Sequence, residues 1–206
     1  MTAETSPHGL RTAGPVLDCA ARLFAEHGAH GATMPALTRW IASETGTDPA
    51  DLRRAFPART DLAYAVVLRA TRTRLDEQLA ADTPGAHPVE RMSSLVRRHV
   101  SSGWEHRATA ALEQELLPVL RAVHPTRHRE LTGLKHAYRA LVEEIITRGR
   151  AEGSFLVDAP ASAADEVLGT LDSLLHWYHA DSDLGLDDLG TVFVDLVVHH
   201  HLGCPR

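Results

Sequence analysis

Ile41–Phe56, with the sequence IASETGTDPADLRRAF, is the stretch whose reading decides the fold. It reads as the end of one helix, a glycine turn and a short second helix. Gly46 stands where a left-handed residue closes a helix, and Thr47 or Asp48 ahead of Pro49 supplies a cap and a first-turn proline for the next one. Helical spacing puts Leu52, Ala55 and Phe56 on one side of that second helix, with Ala50 and Arg54 opposite and Asp51 and Arg53 on the flanks. The pattern is a helix-turn-helix. A short helix presenting Arg53 and Arg54 outward has the shape and charge to enter a DNA major groove.

Working outward, Val16, Leu17, Ala20, Leu23 and Phe24 recur at helical spacing from Pro15 to His27, and Gly28 and Gly31 stop that helix. Met1–Gly9 is polar, contains Pro7 and Gly9, and is expected to be a disordered arm. Thr33 reads as a cap and phosphate contact for a helix over Met34–Thr45, whose Leu37, Trp40 and Ile41 face inward with Arg39 beside them. A long helix is expected over Arg59–Ala81. Thr83–Pro88 then breaks the pattern and marks the best boundary in the chain. Beyond it the periodicity gives helices over Val89–Arg107, Ala108–His124 (ended by Pro125) and Arg127–Glu152, and no stretch alternates like a β-strand.

The last two apolar stretches form the second strong signal. Ala164, Val167, Leu168, Leu171, Leu174, Leu175 and Tyr178 make one face, and Leu186, Leu189, Val192, Phe193, Leu196 and Val197 make another. They predict an antiparallel hairpin. Trp177, Val194 and Val198 fall off these stripes, so the hairpin offers more apolar surface than one packing face uses, which points to a partner subunit and a twofold four-helix bundle.

Composition limits the classes. With 206 residues and 44% hydrophobic content, the chain can bury one large core, or a small domain beside a larger one. No apolar run approaches a membrane span and the N-terminus lacks the features of a secretory signal, so cytoplasmic placement and no membrane partner are expected. Cys19 and Cys204 lack paired spacing and read as inert thiols. The net charge of −6 is uneven: residues 1–80 hold 9 arginines against 9 acids, whereas the remainder holds 12 basic against 18 acidic residues. A neutral head on an acidic body is a weak footprint for phosphate binding, because phosphate neutralisation supplies much of the affinity for DNA.

Leu23-Phe24-Ala25-Glu26-His27-Gly28, then Ile41-Ala42 and Gly46, then Leu52, Phe56-Pro57 and Leu62 resemble, in order and spacing, the tetracycline-repressor (TetR) family of transcriptional regulators. Arg53 departs from the tyrosine usual after the recognition-helix leucine. The Trp177-Tyr178 turn and closing helix extend the resemblance over most of the chain. It implies an all-α fold of about nine helices, with an arm and three-helix head over 1–57, a connecting helix over 58–82, and a ligand-binding and dimerisation domain over 83–206. The expected DNA-contact set is Thr33, Arg39, Thr47, Asp48, Ala50, Asp51, Arg53, Arg54 and Arg59, with Asp48 and Asp51 first of all capping groups. The partners implied are a palindromic double-stranded operator, a second copy of the chain and a lipophilic small molecule.

An apolar lining of Met92, Val96, Trp104, Leu116, Leu120, Tyr138, Leu141 and Leu168, with His99 nearby, favours such a ligand. The segment Arg107–Phe155 resembles regulators of lipid or steroid breakdown that sense acyl thioesters. Leu171, Leu174, Leu175, Tyr178, Phe193, Leu196, Val197 and His200 are the expected dimer contacts. The implied mechanism is a ligand that shifts the Arg59–Ala81 helix and moves two heads away from half-site spacing.

Two other readings stay open. One is a helical dimer of this kind that has lost specific DNA binding, suggested by the acidic, lysine-free recognition helix. The other is an all-α enzyme built on histidines, of which there are 14. Yet His199-His200-His201 are consecutive and point different ways, and His176 and His179 with Asp172 share a single helix, so neither a metal nor any other cofactor is expected. No nucleophile elbow and no glycine-rich phosphate loop is present.

Overall fold

The structure is a computed structural model that describes residues 7–28, 30–178 and 184–205, with backbone only for 7–13 and 175–177. The fold is all-α. In chain order the helices are α1 (Pro7–His27), α2 (Met34–Thr45), α3 (Pro49–Ala55), α4 (Arg59–Ala81), α5 (Pro88–Glu105), α6 (Arg107–Val123), α7 (Pro125–Ala151), α8 (Pro160–Trp177) and α9 (Leu186–Val194). A π-helical turn, Asp195–His201, continues α9. Among the described residues there is no strand.

The bounds of α2 and α4 are those the periodicity predicts. The helix expected from Pro15 instead begins at Pro7, because the exposed Pro15 removes one ladder hydrogen bond without displacing the backbone. Pro7–Gly9, expected in a disordered arm, are therefore helical, and the rest of that arm lies outside the described residues. Pro125, expected to end a helix, opens α7, where its missing N–H is one the first turn leaves unpaired anyway.

The chain forms two compact units, residues 1–70 with 108–130 and residues 71–107 with 131–206. Both α4 and α7 contribute to each. In the first unit, Val16, Ala20, Leu23 and Phe24 of α1, Leu37 and Ile41 of α2, Leu52 of α3 and Leu62, Val66 and Val67 of α4 are buried. Polar ties add direction: Arg69 donates to Asp18 at 2.5 Å and to the Gly14 carbonyl at 3.0 Å, while Arg22 pairs with Glu44. Arg127, at the start of α7, donates to Asp61 at 2.5 Å and lies over the Tyr64 ring. Burial pushes the Asp61 carboxyl up, but the Arg127 hydrogen bond and the Ala58 amide outweigh it and hold the group below its usual range.

The second unit is built around α5, which packs on α8 and α9. Its core includes Met92, Leu95, Val96 and Val100 of α5, Val142, Ile145 and Ile146 of α7, Val167, Leu171 and Leu174 of α8, and Leu189, Phe193, Val197, Val198 and Leu202 near the C-terminus. Gly149 lets this core close, since a β-carbon there would lie 2.1 Å from the Phe155 ring. Thr83–Pro88 is a turn inside this unit, held where Arg148 donates to the Pro84 carbonyl and His87 meets Ser154 at 3.3 Å.

Arg91 fastens the same region. Its side chain is 2% exposed and donates to Asp82 at 3.0 and 2.7 Å and to Glu144 at 3.1 and 2.7 Å. The Arg91 hydrogen bonds hold the Asp82 carboxyl well below the usual carboxylate range.

Val198 corrects an expectation. Read as a continuous α-helix, the closing segment leaves it off the apolar stripe, which predicts a place on a partner's surface. The π-helical winding, seen where the Leu202 amide reaches the Val197 carbonyl at 3.0 Å, rotates Val198 inward to 1% exposure beside Val197 and Leu202. It belongs to the protomer's own core.

Candidate nucleic-acid interface and effector site

The α2–α3 connection is built from the residues its sequence nominates. Gly46 adopts φ +68° and its amide reaches the Ala42 carbonyl at 3.0 Å, closing α2 through a conformation that costs a side-chain-bearing residue dearly. Asp48 caps α3 by accepting from the Ala50 amide at 2.6 Å, and Pro49 occupies the first helical position. Thr33 caps α2 more loosely, accepting from the Ala36 amide at 3.4 Å. Of α3 only Leu52 is buried, with Phe56 half-buried behind it. Ala55, expected on the buried side, is exposed because a seven-residue helix seats little more than one turn against the unit.

The expected DNA contacts separate into groups. Arg39, Ala50 and Arg53 are exposed, and neither arginine has a side-chain partner among the described residues. Arg54 is exposed but spends its fork on Asp51 at 2.6 Å. Thr47 is half-buried and shares a 2.8 Å hydrogen bond with Thr45. Arg59 is turned back on the α1–α2 connection, reaching the Ala32 carbonyl at 3.4 Å and His30 at 3.0 Å. Thr47 and Arg59 therefore hold the head together, and the free positive charge lies on Arg39 and Arg53. Behind this surface Cys19 donates to Glu44 at 3.4 Å, and burial followed by that contact pushes its thiol up to about 11, so it stays protonated and unreactive.

The residues expected to line an apolar pocket are divided between the two units. Met92 and Val96 are sealed in the core, against which Trp104, Tyr138, Leu141 and Leu168 pack half-buried. Leu116 and Leu120 are buried residues of the other unit. Trp104 sets its edge on Tyr178 at 4.7 Å and carries Arg107 over its face at 4.3 Å. One opening in the second unit lies beside other residues. A cleft of about 550 Å³ separates α4 from α5 and is lined by Arg74, Glu77, Gln78, Ala80 and Ala81 on one side and Arg98, Ser101, Ser102 and Glu105 on the other. The two helices offer matching faces, since residues 74, 77, 78 and 81 and residues 98, 101, 102 and 105 each follow helical spacing.

Gln78 is buried and accepts from the Arg98 Nε at 3.0 Å. Close by, the His99 Nδ1 lies 3.0 Å from the Tyr138 hydroxyl, with the rings stacked, and its Nε2 lies 3.8 Å from Asp172. Desolvation, then the positive charge of Arg74, lowers His99 to about 4, so it is neutral at physiological pH. Sequence reasoning did not find this cleft. Its signal was available: Arg74, Gln78 and Ala81 recur along one face of α4, and Arg98, Ser102 and Glu105 along one face of α5.

The expected dimer contacts divide as well. Leu171, Leu174, Phe193 and Val197 are at most 1% exposed and Tyr178 is 8% exposed, with its hydroxyl donating to the Leu184 carbonyl at 2.7 Å. These side chains are buried in the protomer's own core. The side chain of Leu175 lies outside the described residues. Leu196 and His200 do face outward, and Val192, expected on the buried stripe, is 49% exposed on the same side. The three late histidines diverge: His199 meets the Cys204 carbonyl, His200 lies near Asp195, and His201 meets Thr170. His176 has no described side chain and His179 lies outside the described residues. Among the described residues no group of three His, Cys, Asp or Glu side chains is placed to hold a metal.

An all-helical chain that carries a capped helix-turn-helix near its N-terminus and a larger helical body behind it has the organisation of a helix-turn-helix regulator with a sensing domain. A family model described as the tetracyclin repressor-like C-terminal domain matches residues 85–200. The chain belongs to that family, the TetR family of transcriptional regulators.

Solved structures share the fold. A tetR-family regulatory protein from Rhodococcus RHA1 is 22% identical with a TM-score of 0.80, over 95% of this chain and 99% of that one. The ketosteroid transcriptional regulator KstR2 of Mycobacterium tuberculosis is 20% identical with a TM-score of 0.69, over 94% and 95%. AibR in complex with isovaleryl coenzyme A and operator DNA is 19% identical with a TM-score of 0.72, over 91% and 98%. No curated protein matches. No helix among the described residues is long and apolar enough to cross a membrane.

Proposed function

We propose that this chain is a homodimeric, ligand-responsive repressor that binds a palindromic operator through α2 and α3 and releases it when a small molecule enters the second unit. The observation that carries the reading is the pair Arg39 and Arg53, exposed and without side-chain partners among the described residues, on the two helices of a fully capped helix-turn-helix. An exposed guanidinium without a carboxylate partner on this surface is poised for phosphate or for guanine. Residues 1–57 act as the head, 58–82 as the connecting helix and 83–206 as the sensing and pairing part. Pairing runs through the outward face of the closing hairpin, where Val192, Leu196 and His200 recur every four residues.

The fold is shared with AibR, whose complex holds an acyl thioester and operator DNA together, and that one fold serves both partners supports the reading. Cytoplasmic placement and the absence of catalysis follow from it. The Asp51–Arg54 pair favours a second reading, a helical dimer without specific DNA binding, because it leaves the exposed surface of α3 nearly neutral.

Enrichment from genomic DNA separates the two. Full-length protein incubated with sheared DNA of its source organism should retain fragments bearing one inverted repeat, and the double variant Arg39→Ala, Arg53→Ala should retain none. Retention of no fragment by the parent protein would leave the second reading in place.

A further inference from the structure

From the geometry of the second unit we infer that the α4–α5 cleft is an effector site for a small amphipathic molecule carrying one oxyanion, a carboxylate or a phosphate ester, gripped by Arg98 and Ser102. The inference rests on the ligand-responsive reading above and specifies which chemistry that ligand has.

The charge balance of the cleft points this way. Arg98 is half-buried, and its Nε is committed to the buried Gln78 at 3.0 Å. Its two terminal nitrogens have no protein partner among the described residues, so the outer edge of a planar fork is offered to the cleft. One turn further along α5 the Ser102 hydroxyl is buried without a hydrogen-bond partner. Unpaired buried hydroxyls are uncommon and each carries a desolvation penalty that a bound polar group removes.

Arg74, also half-buried, adds a second positive charge, which acts on both His99 and Tyr138. His99 is neutral, so it neither adds to nor offsets the two guanidiniums. Asp172, beside His99, has an exposed side chain, and Asp82 is already committed to Arg91. The carboxylates that line the cleft itself are Glu77 and Glu105, both exposed. Arg98 is thus a half-buried cation whose outer edge is uncommitted, while the acids that line the cleft stand at its exposed rim; this favours an anion inside, and the rim acids repel a ligand that carries a long run of charge.

Size and lining give the rest of the ligand. The volume falls in the range of small-molecule sites. Apart from its polar groups the wall is Ala80, Ala81 and the methylene stems of the charged side chains, which suit a short apolar chain.

Isothermal titration of the full-length protein with hexanoate, hexyl phosphate and hexan-1-ol tests the assignment. At least one anion should bind and the alcohol should not, and the stronger of the two anions identifies which oxyanion the site prefers. Arg98→Gln should weaken that anion about tenfold or more, Arg98→Lys should recover part of the loss, and Ser102→Ala should cost about threefold. Circular dichroism of each variant controls for folding. Binding of the alcohol as tightly as the anions, binding of none of the three, or full affinity in folded Arg98→Gln would overturn the assignment.

The affinity of the protein for its enriched DNA, measured with and without the bound anion, separates this inference from the reading beneath it. Anion binding that leaves DNA affinity unchanged would keep the site and remove the ligand-responsive reading. Release of DNA by hexan-1-ol alone would keep that reading and remove the site.

Discussion

On the proposed DNA-contact face of α3, Asp51 restrains Arg54, and removing it should strengthen DNA binding. In the free protein its carboxylate holds Arg54 at 2.6 Å, with the two side chains 62% and 77% exposed. A pair this exposed contributes little to stability, so it is easily given up, but it hides one cation and adds one anion where phosphates would approach. Asp51→Ala frees the guanidinium for one further phosphate contact on each head. Each such contact steepens the dependence of log K on log salt by about 0.9, so a dimer gains about 1.8. At 0.1 M salt that corresponds to roughly an eightfold gain per head and about sixtyfold for the pair, vanishing as salt approaches 1 M.

Because the effect acts through phosphates, a mixed-sequence duplex reports it, and fluorescence anisotropy from 50 to 500 mM salt, about where such slopes are resolved, is the assay. Adding Arg54→Ala to Asp51→Ala should cancel the gain. Asp51 also sits in the first turn of α3, where an acid complements the helix dipole, so circular dichroism must show the helix intact. An unchanged salt slope in folded Asp51→Ala would refute the reasoning and turn α3 away from DNA.

Other parts of the structure make separate predictions. Arg91→Ala leaves the largely buried Asp82 carboxylate without its guanidinium partner and should cost about 3–5 kcal/mol in urea unfolding, whereas Glu144→Gln, at a carboxylate 54% exposed, should cost under about 1 kcal/mol; similar costs would contradict the placement of Arg91 as the buried centre. His99 sets a pH dependence. Its folded value of about 4 lies below the ordinary 6.5, so the unfolded chain takes up its proton first and stability falls as pH drops through that window, by about 3 kcal/mol at most. The groups around it are Arg74, Tyr138 and Asp172, and His99→Gln should flatten the loss between pH 6.5 and 4.5 in denaturation midpoints; an equal loss in both proteins would refute the assignment. Val192→Asp with Leu196→Asp should yield folded monomers in light scattering, because both side chains lie outside the protomer's core, and a persisting dimer would place the interface elsewhere.

Much of the fold was legible because its signals are local. Gly46, Asp48 and Pro49 specify their turn through backbone preferences that need no partner, and the bounds of α2 and α4 follow from caps and periodicity alone. What periodicity could not separate was one kind of apolar burial from another. Leu171, Leu174 and Phe193 show the same stripe whether they face their own protomer or a second one, and the π-helical turn that carries Val198 inward leaves no mark in a 3.6-residue pattern.

The residues expected to contact DNA could not be ranked from the sequence, since Thr47, Arg54 and Arg59 find partners that only the folded chain provides. The α4–α5 cleft was missed for a related reason. Apolar residues such as Met92 and Val96 have the composition of a pocket lining but fill the core, and the opening lies along the polar faces of α4 and α5.

The central claim is that α2 and α3 meet DNA through Arg39 and Arg53. The measurement that tests it most directly is the salt dependence of binding to the enriched DNA fragment, compared between the parent protein and folded Arg39→Ala, Arg53→Ala. Each head of the variant neutralises two fewer phosphates, so the slope of log K against log salt should be shallower by about 3.6 for the dimer, together with a large loss of affinity. Equal slopes and equal affinities in the two proteins would contradict it.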